Sequence, residues 1–217
     1  DLDVVIDYGD AVLNMVQHRA DSHALFWLTL IGPPLGVLIA RILGEANLWR
    51  RWALAAWLAL FTHPLLDVFT VYGTQLLRPF SSHPYGVGSV FIIDPLYTLP
   101  LVVGILWTLA SGRLRANAIG LLLSTAYLGW GLAVQQHVDR VARDALAAQG
   151  IVAERLLVTP TAFNSIVWRV VAVTPTHFHE GYYGLRDPVR DIVFERFDRG
   201  APLIAAWRGH WAVARIA

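Results

Sequence analysis

His63 and Asp67 stand four residues apart in Phe61–Thr74, FTHPLLDVFTVYGT, at the end of a long apolar stretch. Residues i and i+4 share a helix face, so an imidazole and a carboxylate at this spacing converge on one point. His18 and His23 stand five apart in HRADSH, just ahead of a second apolar stretch, and Asp94 opens a third. Imidazole nitrogen and carboxylate oxygen together suit Zn²⁺, Mn²⁺ or Fe²⁺, and a catalytic zinc site takes about three protein ligands. An ion so held lowers the pKa of a bound water and polarises an ester or phosphoryl oxygen. The candidate ligands are therefore His18, His23, His63 and Asp67, with Asp3 of the acidic N-terminal stretch close enough in sequence to join them. Asp94 is a candidate ligand, orienting group or general base.

Each of these residues alone has a plainer explanation. A lone His near a helix end usually caps or hydrogen-bonds, and Asp94 precedes Pro95 as an N-cap precedes the first helical position. Three His and two Asp gathered on one side of a membrane are harder to explain that way. Other chemistries are excluded by composition. All 17 basic residues are Arg, which removes a P-loop lysine and Schiff-base chemistry. The absence of Cys removes disulfides, thiolate metal sites and a cysteine nucleophile. The net charge of +1 says nothing about nucleic acid and no basic tract supports it, so no nucleic-acid partner is expected. HExxH, GxSxG and GxGxxG signatures are absent, and Ser81 and Ser82 have no evident base in sequence.

The elements that must position the candidates read as membrane helices. The chain is 56% hydrophobic and only 15% charged, against about a quarter charged in a soluble domain. Between Ser22 and Gln136 the only acids are Glu45, Asp67 and Asp94. Four apolar segments follow one another: Ala24–Leu43 with Pro33-Pro34 inside it, Trp52–Val71, Phe91–Ala110 and Ala116–Gln136. Each is near the roughly 20 residues that span a bilayer as a helix. Arg41, Arg50 and Arg51 flank the first turn and Arg113 and Arg115 the second-hairpin turn. The positive-inside rule places both in the cytoplasm, so all the His/Asp candidates fall on the opposite face. An ionisable residue in such a segment is a functional-site hypothesis by default.

The loop Tyr72–Ile93 is rich in Gly, Pro and Ser and reads as a lid or binding loop, with Arg78, Ser81 and His83 as its candidate substrate-binding residues. Beyond Gln136, Arg140–Gly150 reads as a short amphipathic helix. Strand-like runs follow at Arg155–Val158, Ile166–Val173, His177–Leu185 and Ile192–Phe197. The expected architecture is an α-helical polytopic membrane protein, residues 1–136, with a small C-terminal extramembrane β-rich appendage, residues 137–217. Asp1–Asp10 has neither the basic nor the apolar region of a signal peptide.

HRADSH, HPLLDVFTVYGTQLLRPFS and IIDPLYTLPLVV resemble the membrane-bound metal-dependent hydrolases of the YdjM type. TPTAFNSIVWRVVAV and the later EGYYGL resemble the extramembrane part of longer members. The resemblance implies a multi-pass protein of the bacterial inner (plasma) membrane, in contact with the lipid bilayer. It implies a metal-dependent hydrolase, with His18, His23, His63 and Asp67 at the motif positions. It also implies a further Asp/His motif and an apolar hairpin ahead of a segment like Asp1-Leu2-Asp3. Zinc is the expected metal, and the expected substrate is a small molecule or lipid. The His/Asp pattern is similar to that of the all-helical zinc phospholipase C and nuclease group, an analogy that favours phosphoesters. Two rivals stand beside this: a non-enzymatic membrane protein with a partner-binding β appendage, and an ion or proton transporter. Acids at span ends rather than mid-span argue mildly against the transporter.

Overall fold

Two helical hairpins and one antiparallel sheet account for the regular structure of this computed structural model. It describes residues 5–188 and 191–200, with 202, 205–207, 209–211 and 213 beyond them. The chain divides into two compact units, residues 1–87 and 88–217.

The first unit begins with a helix of about two turns, α1 (Ala11–Gln17), capped by the Asp10 carboxylate, which accepts from the backbone N–H of Val12 and Leu13. A 3₁₀ turn, Asp21–His23, leads into α2 (Leu25–Ile42), which runs through Pro33-Pro34. A second 3₁₀ turn, Ala46–Leu48, leads into α3 (Trp49–Asp67). The buried residues of α2 are Leu28, Gly32, Gly36 and Ala40, spaced four apart. This small-residue stripe meets α3 backbone to backbone. A Cβ on Gly32 would stand 2.9 Å from Trp57 Cα, and one on Gly36 would collide with the Trp52 carbonyl oxygen. The other faces of α2 expose Leu30, Ile31, Leu38 and Ile42. A helix that buries glycine and exposes leucine and isoleucine is built for a solvent as apolar as its side chains, where close backbone packing holds helices together.

The second unit repeats the device in α4 (Pro95–Ser111) and α5 (Leu114–Ala148). Gly104 stands against Ala116 and Asn117, and Gly120 against the Pro100 carbonyl. Val103, Leu106, Trp107 and Leu109 of α4 and Leu121, Leu122 and Leu123 of α5 remain exposed. α5 does not stop where its apolar run ends. From sequence, a span ending near Gln136 and a separate helix Arg140–Gly150 are expected; instead one 35-residue helix crosses the expected domain boundary at 136/137 without a break. Its C-terminal half carries Val134, Val138, Val141, Ala142 and Ala145 on a helical stripe, and these residues pack under the sheet. A continuous 3.6-residue period with no Pro or Gly between Leu132 and Gln149 leaves nothing to end the helix before Gly150, which takes φ +68°.

The sheet has the order β1 (Arg155–Pro160), β2 (Val167–Val173), β3 (His177–Gly184), β4 (Glu195–Asp198), all neighbours antiparallel. Trp168, Val170 and Tyr183 face α5 and form its core with Val158 and Ile192. On the far face, Arg169 donates to Glu180 at 2.7 Å. With help from the Tyr182 hydroxyl, this holds the Glu180 carboxyl below its ordinary range.

The chain is thus mostly helical with a small four-stranded C-terminal sheet. Among the described residues, two helices, α2 and α5, are long and apolar enough to cross a membrane, where four spans are expected from sequence. α4 is apolar but shorter, at 17 residues, because its helix starts only at Pro95. α3 carries Arg50, Arg51, His63 and Asp67 within its 19 residues, which dilutes its apolar character.

The glycine stripes make a testable distinction. Gly36→Leu should destabilise the α2–α3 hairpin by about 1–3 kcal/mol or more through overpacking. Gly129→Ala should leave stability unchanged or raise it, because a Cβ there meets nothing within 4 Å and alanine favours helix by about 1 kcal/mol. Thermal unfolding in detergent, followed by circular dichroism, checks both, and equal effects of the two substitutions would contradict the packing described.

Candidate functional site

The open end of the α2–α3 hairpin is closed by chain from both sides. Residues 15–25 enter it and the loop 68–87 covers it. The loop is stitched to the entering segment by backbone and side-chain bonds: Gln75 N–H to the Arg19 carbonyl at 3.0 Å, Leu25 N–H to the Leu76 carbonyl at 3.0 Å, the Gln75 amide to the Val16 carbonyl at 2.8 Å and the Tyr72 hydroxyl to the Met15 carbonyl at 2.8 Å. A one-step bridge between Thr74 and Tyr85 shapes the loop itself. Enclosed by it are Arg19, His23, Thr70, Thr74 and Gln75, all buried.

Asp67 is the centre of this enclosure. It is the last residue of α3, a poor place for a carboxylate, since the helix dipole puts partial negative charge there. Its surroundings offset this. His23 Nε2 lies 3.3 Å from Asp67 Oδ2, and Arg19 Nη2 lies 3.5 Å from Oδ1. The His23 ring, with no exposure to solvent, is held from its other side by Ser22, whose hydroxyl is 2.8 Å from Nδ1. His63, one turn back on α3, stacks edge-on to His23 with ring centroids 4.9 Å apart, and His18 stands edge-on at 6.4 Å from His23 and 5.3 Å from Tyr72. The two histidines of HRADSH and the His63–Asp67 pair therefore share one cluster.

Sequence reasoning does not single out Arg19, although it lies inside HRADSH. It is 6% exposed, donates to the Thr70 hydroxyl at 3.0 Å, and sits over the Tyr72 ring at 5.3 Å. Its backbone is left-handed, φ +57°, a conformation that costs a residue with a side chain about 1–3 kcal/mol. The signal was present in the sequence: Arg19 is the one basic residue before Arg41, and it is flanked by motif histidines.

Asp94, Arg78, Ser81 and His83 have partners of their own. Asp94 belongs to the second unit. It caps α4 through Leu96 N–H at 2.9 Å and accepts from the Tyr127 hydroxyl at 2.7 Å, with 3% exposure. Arg78 donates to the Gln75 side chain at 3.0 Å and to Gln17 at 3.4 Å, and faces Asp21 at 4.0 Å. The Ser81 hydroxyl accepts from the His83 N–H at 3.2 Å, and the exposed His83 ring packs edge-on to Tyr85. Asp3 lies outside the described residues.

The donor set can be tested against a metal. Two atoms that share one tetrahedral ion at about 2.0–2.2 Å stand about 3.3–3.6 Å apart. The His23 Nε2–Asp67 Oδ2 separation of 3.3 Å meets that requirement. Ser22 behind Nδ1 supplies the outer hydrogen bond that metal-ligating histidines almost always have. Among the described residues, no three His, Cys, Asp or Glu side chains are gathered to hold an ion as they stand. Two donors are thus in place, with the His63 and His18 rings beside them.

Apolar-surfaced helical hairpins with a polar cluster enclosed at one end define a membrane protein with an internal His/Asp/Arg centre. The chain belongs to the YdjM inner membrane protein family, whose match covers residues 1–138 and so includes every residue of the cluster. It is 26% identical over 204 residues to the uncharacterized protein YfhP of Bacillus subtilis (strain 168), an overlap that takes in 92% of this chain and 59% of that one. The chain thus spans less than two thirds of that relative's length. No solved structure matches it.

Proposed function

We propose that the chain is a multi-pass inner-membrane hydrolase whose metal, zinc by its donor chemistry, is held by His23, Asp67 and His63, with His18 alongside. The observation that carries this reading is the 3.3 Å approach of His23 Nε2 to Asp67 Oδ2 inside an enclosure that also gathers His18 and His63. A bound divalent ion would supply Lewis-acid activation of water and of the scissile bond. The protein's own contribution is to hold donors on rigid elements: His63 and Asp67 on one face of α3, His23 on the turn that begins α2. Loop 68–87 limits water entry.

The substrate class we favour is a lipid or phosphoester. Phe26, Trp27 and Phe80 are exposed at the same end of the hairpin as the cluster, and Phe26 packs edge-on to Phe80 at 5.5 Å. Aromatics in that position suit the membrane–water interface, where a lipid headgroup would be presented. Arg41, Arg50 and Arg51 lie at the opposite end of the hairpin, so the positive-inside rule turns the cluster toward the non-cytoplasmic side.

One specific observation favours a different reading. The Arg19–Asp67 ion pair, as a buried structural lock, would need no metal. Elemental analysis of the purified full chain separates the two. The hydrolase reading expects stoichiometric zinc, lost in His63→Ala while the helical circular-dichroism spectrum stays intact. It also expects a membrane-impermeant chelator to strip zinc from the protein in intact spheroplasts. A full chain that takes up neither Zn²⁺ nor Mn²⁺ at micromolar concentrations would sink it.

A further inference from the structure

We propose that Arg19 is a positioning residue that commits Asp67 to bind through one oxygen, and thereby sets the site for a low-coordinate, zinc-like ion. The inference rests on the metal reading above and extends it to a residue outside the donor set. The two Asp67 oxygens have different neighbours: Oδ1 faces the Arg19 guanidinium at 3.5 Å, and Oδ2 faces His23 Nε2 at 3.3 Å. A carboxylate with one oxygen held by a cation presents the other alone. Zinc accepts such a single oxygen among nitrogen ligands in a four-coordinate site. Calcium requires six to eight oxygens and commonly takes both of a carboxylate.

Several features hold Arg19 in that position. Its Nη1 donates to the Thr70 hydroxyl at 3.0 Å, and that hydroxyl donates in turn to the Asp67 carbonyl at 2.7 Å. The guanidinium lies over the Tyr72 ring. Its own carbonyl is fixed by the Gln75 N–H. The backbone at Arg19 is left-handed, a conformation that persists in a residue with a Cβ only where the surroundings impose it. Three segments, the entering chain, the end of α3 and the loop, thus cooperate to aim one guanidinium at one carboxylate oxygen.

The test uses the full chain in detergent micelles, with Co²⁺ and Zn²⁺ as probes. Four-coordinate Co²⁺ absorbs visible light far more strongly than five- or six-coordinate Co²⁺, so the spectrum reports how Asp67 binds. Wild type should show intense bands. Arg19→Met should weaken them as Asp67 turns both oxygens to the ion, and should lower Zn²⁺ affinity by about 10–100-fold, the usual loss when a ligand's outer partner is removed. Arg19→Lys should recover part of both. The direction is diagnostic, because a guanidinium that acted only as a nearby positive charge would oppose the ion, and its removal would tighten binding. Tighter or unchanged Zn²⁺ binding, or an unchanged Co²⁺ spectrum, in folded Arg19→Met overturns the proposal and leaves the metal site standing. A wild type that binds neither ion overturns the metal reading and this inference with it. Should Arg19→Met fail to fold, Thr70→Val loosens the guanidinium without removing its charge. It should shift the Co²⁺ spectrum in the same direction, and an unchanged spectrum there counts against the proposal.

Discussion

Asp67→Ala should destabilise the first unit by about 3–5 kcal/mol, the range seen when one partner of a buried ion pair is removed. The physical cause is the burial around it. Arg19 and His23 have side chains only 7% and 1% exposed. Both face Asp67, whose own side chain is 19% exposed, so removing the carboxylate takes an ion-pair partner from a guanidinium that stays buried. Asp67→Asn keeps the shape and one acceptor, and should lose less, about 1–3 kcal/mol. Thermal unfolding of the full chain, with hydrogen exchange of the 68–87 loop as a local probe, measures both. An Asp67→Ala protein within about 0.5 kcal/mol of wild type, the scatter of ordinary surface changes, would mean the cluster is open to solvent. The same reasoning makes His63 the cleaner probe of metal. Asp67 is shared with Arg19, so its loss mixes a missing ligand with a lost ion pair. His63 makes a half-buried ring contact with His23, and its removal tests the site with less damage to the fold.

Trp168→Ala should have an effect of similar size on the second unit. Loss of a large aromatic from a closed core costs about 3–5 kcal/mol. Trp168 has no solvent exposure, packs in the core that Val134 and Val138 of α5 share with Val170 and Tyr183 of the sheet and with Ile192 of the β3–β4 connection, and donates its indole N–H to the Ser165 carbonyl at 2.9 Å. The expected result is selective. Amides of β1–β4 and of the C-terminal half of α5 should lose protection from hydrogen exchange, while α4 and the N-terminal half of α5, held by the Gly104–Gly120 contact, should keep theirs. Trp168→Phe should retain most of the packing and forfeit only the indole hydrogen bond. Uniform loss of protection along all of α5 would show that the helix folds as one cooperative element, against the two-halves description.

The substitutions act on parts of the chain that differ in how far the sequence alone foretells them. Local period and local breakers determine the helices and strands. The four strands fall within a few residues of the runs read from β-branched and aromatic residues, because Pro, Gly and Asp punctuate them on either side. The His63–Asp67 pairing is likewise local, a consequence of 3.6 residues per turn on one helix. HRADSH joins it because the chain folds back as a hairpin, an arrangement that short turns and apolar stretches foreshadow.

Tertiary structure decides the rest. The length of α5 depends on what covers its C-terminal half. A stripe of valine and alanine reads as the end of a span or as a soluble helix until the sheet is seen to lie on it. Asp94 looks the same in sequence whether it meets a metal or caps a helix, and only the fold brings the Tyr127 hydroxyl, 33 residues away, to 2.7 Å from it. Arg19 is the clearest case. Its partners are Asp67 and Thr70, 48 and 51 positions along the chain, and no period or spacing connects them. A guanidinium finds its carboxylate through the path of the whole backbone, and only the folded chain shows that Asp67 turns one oxygen to an arginine and the other to a histidine.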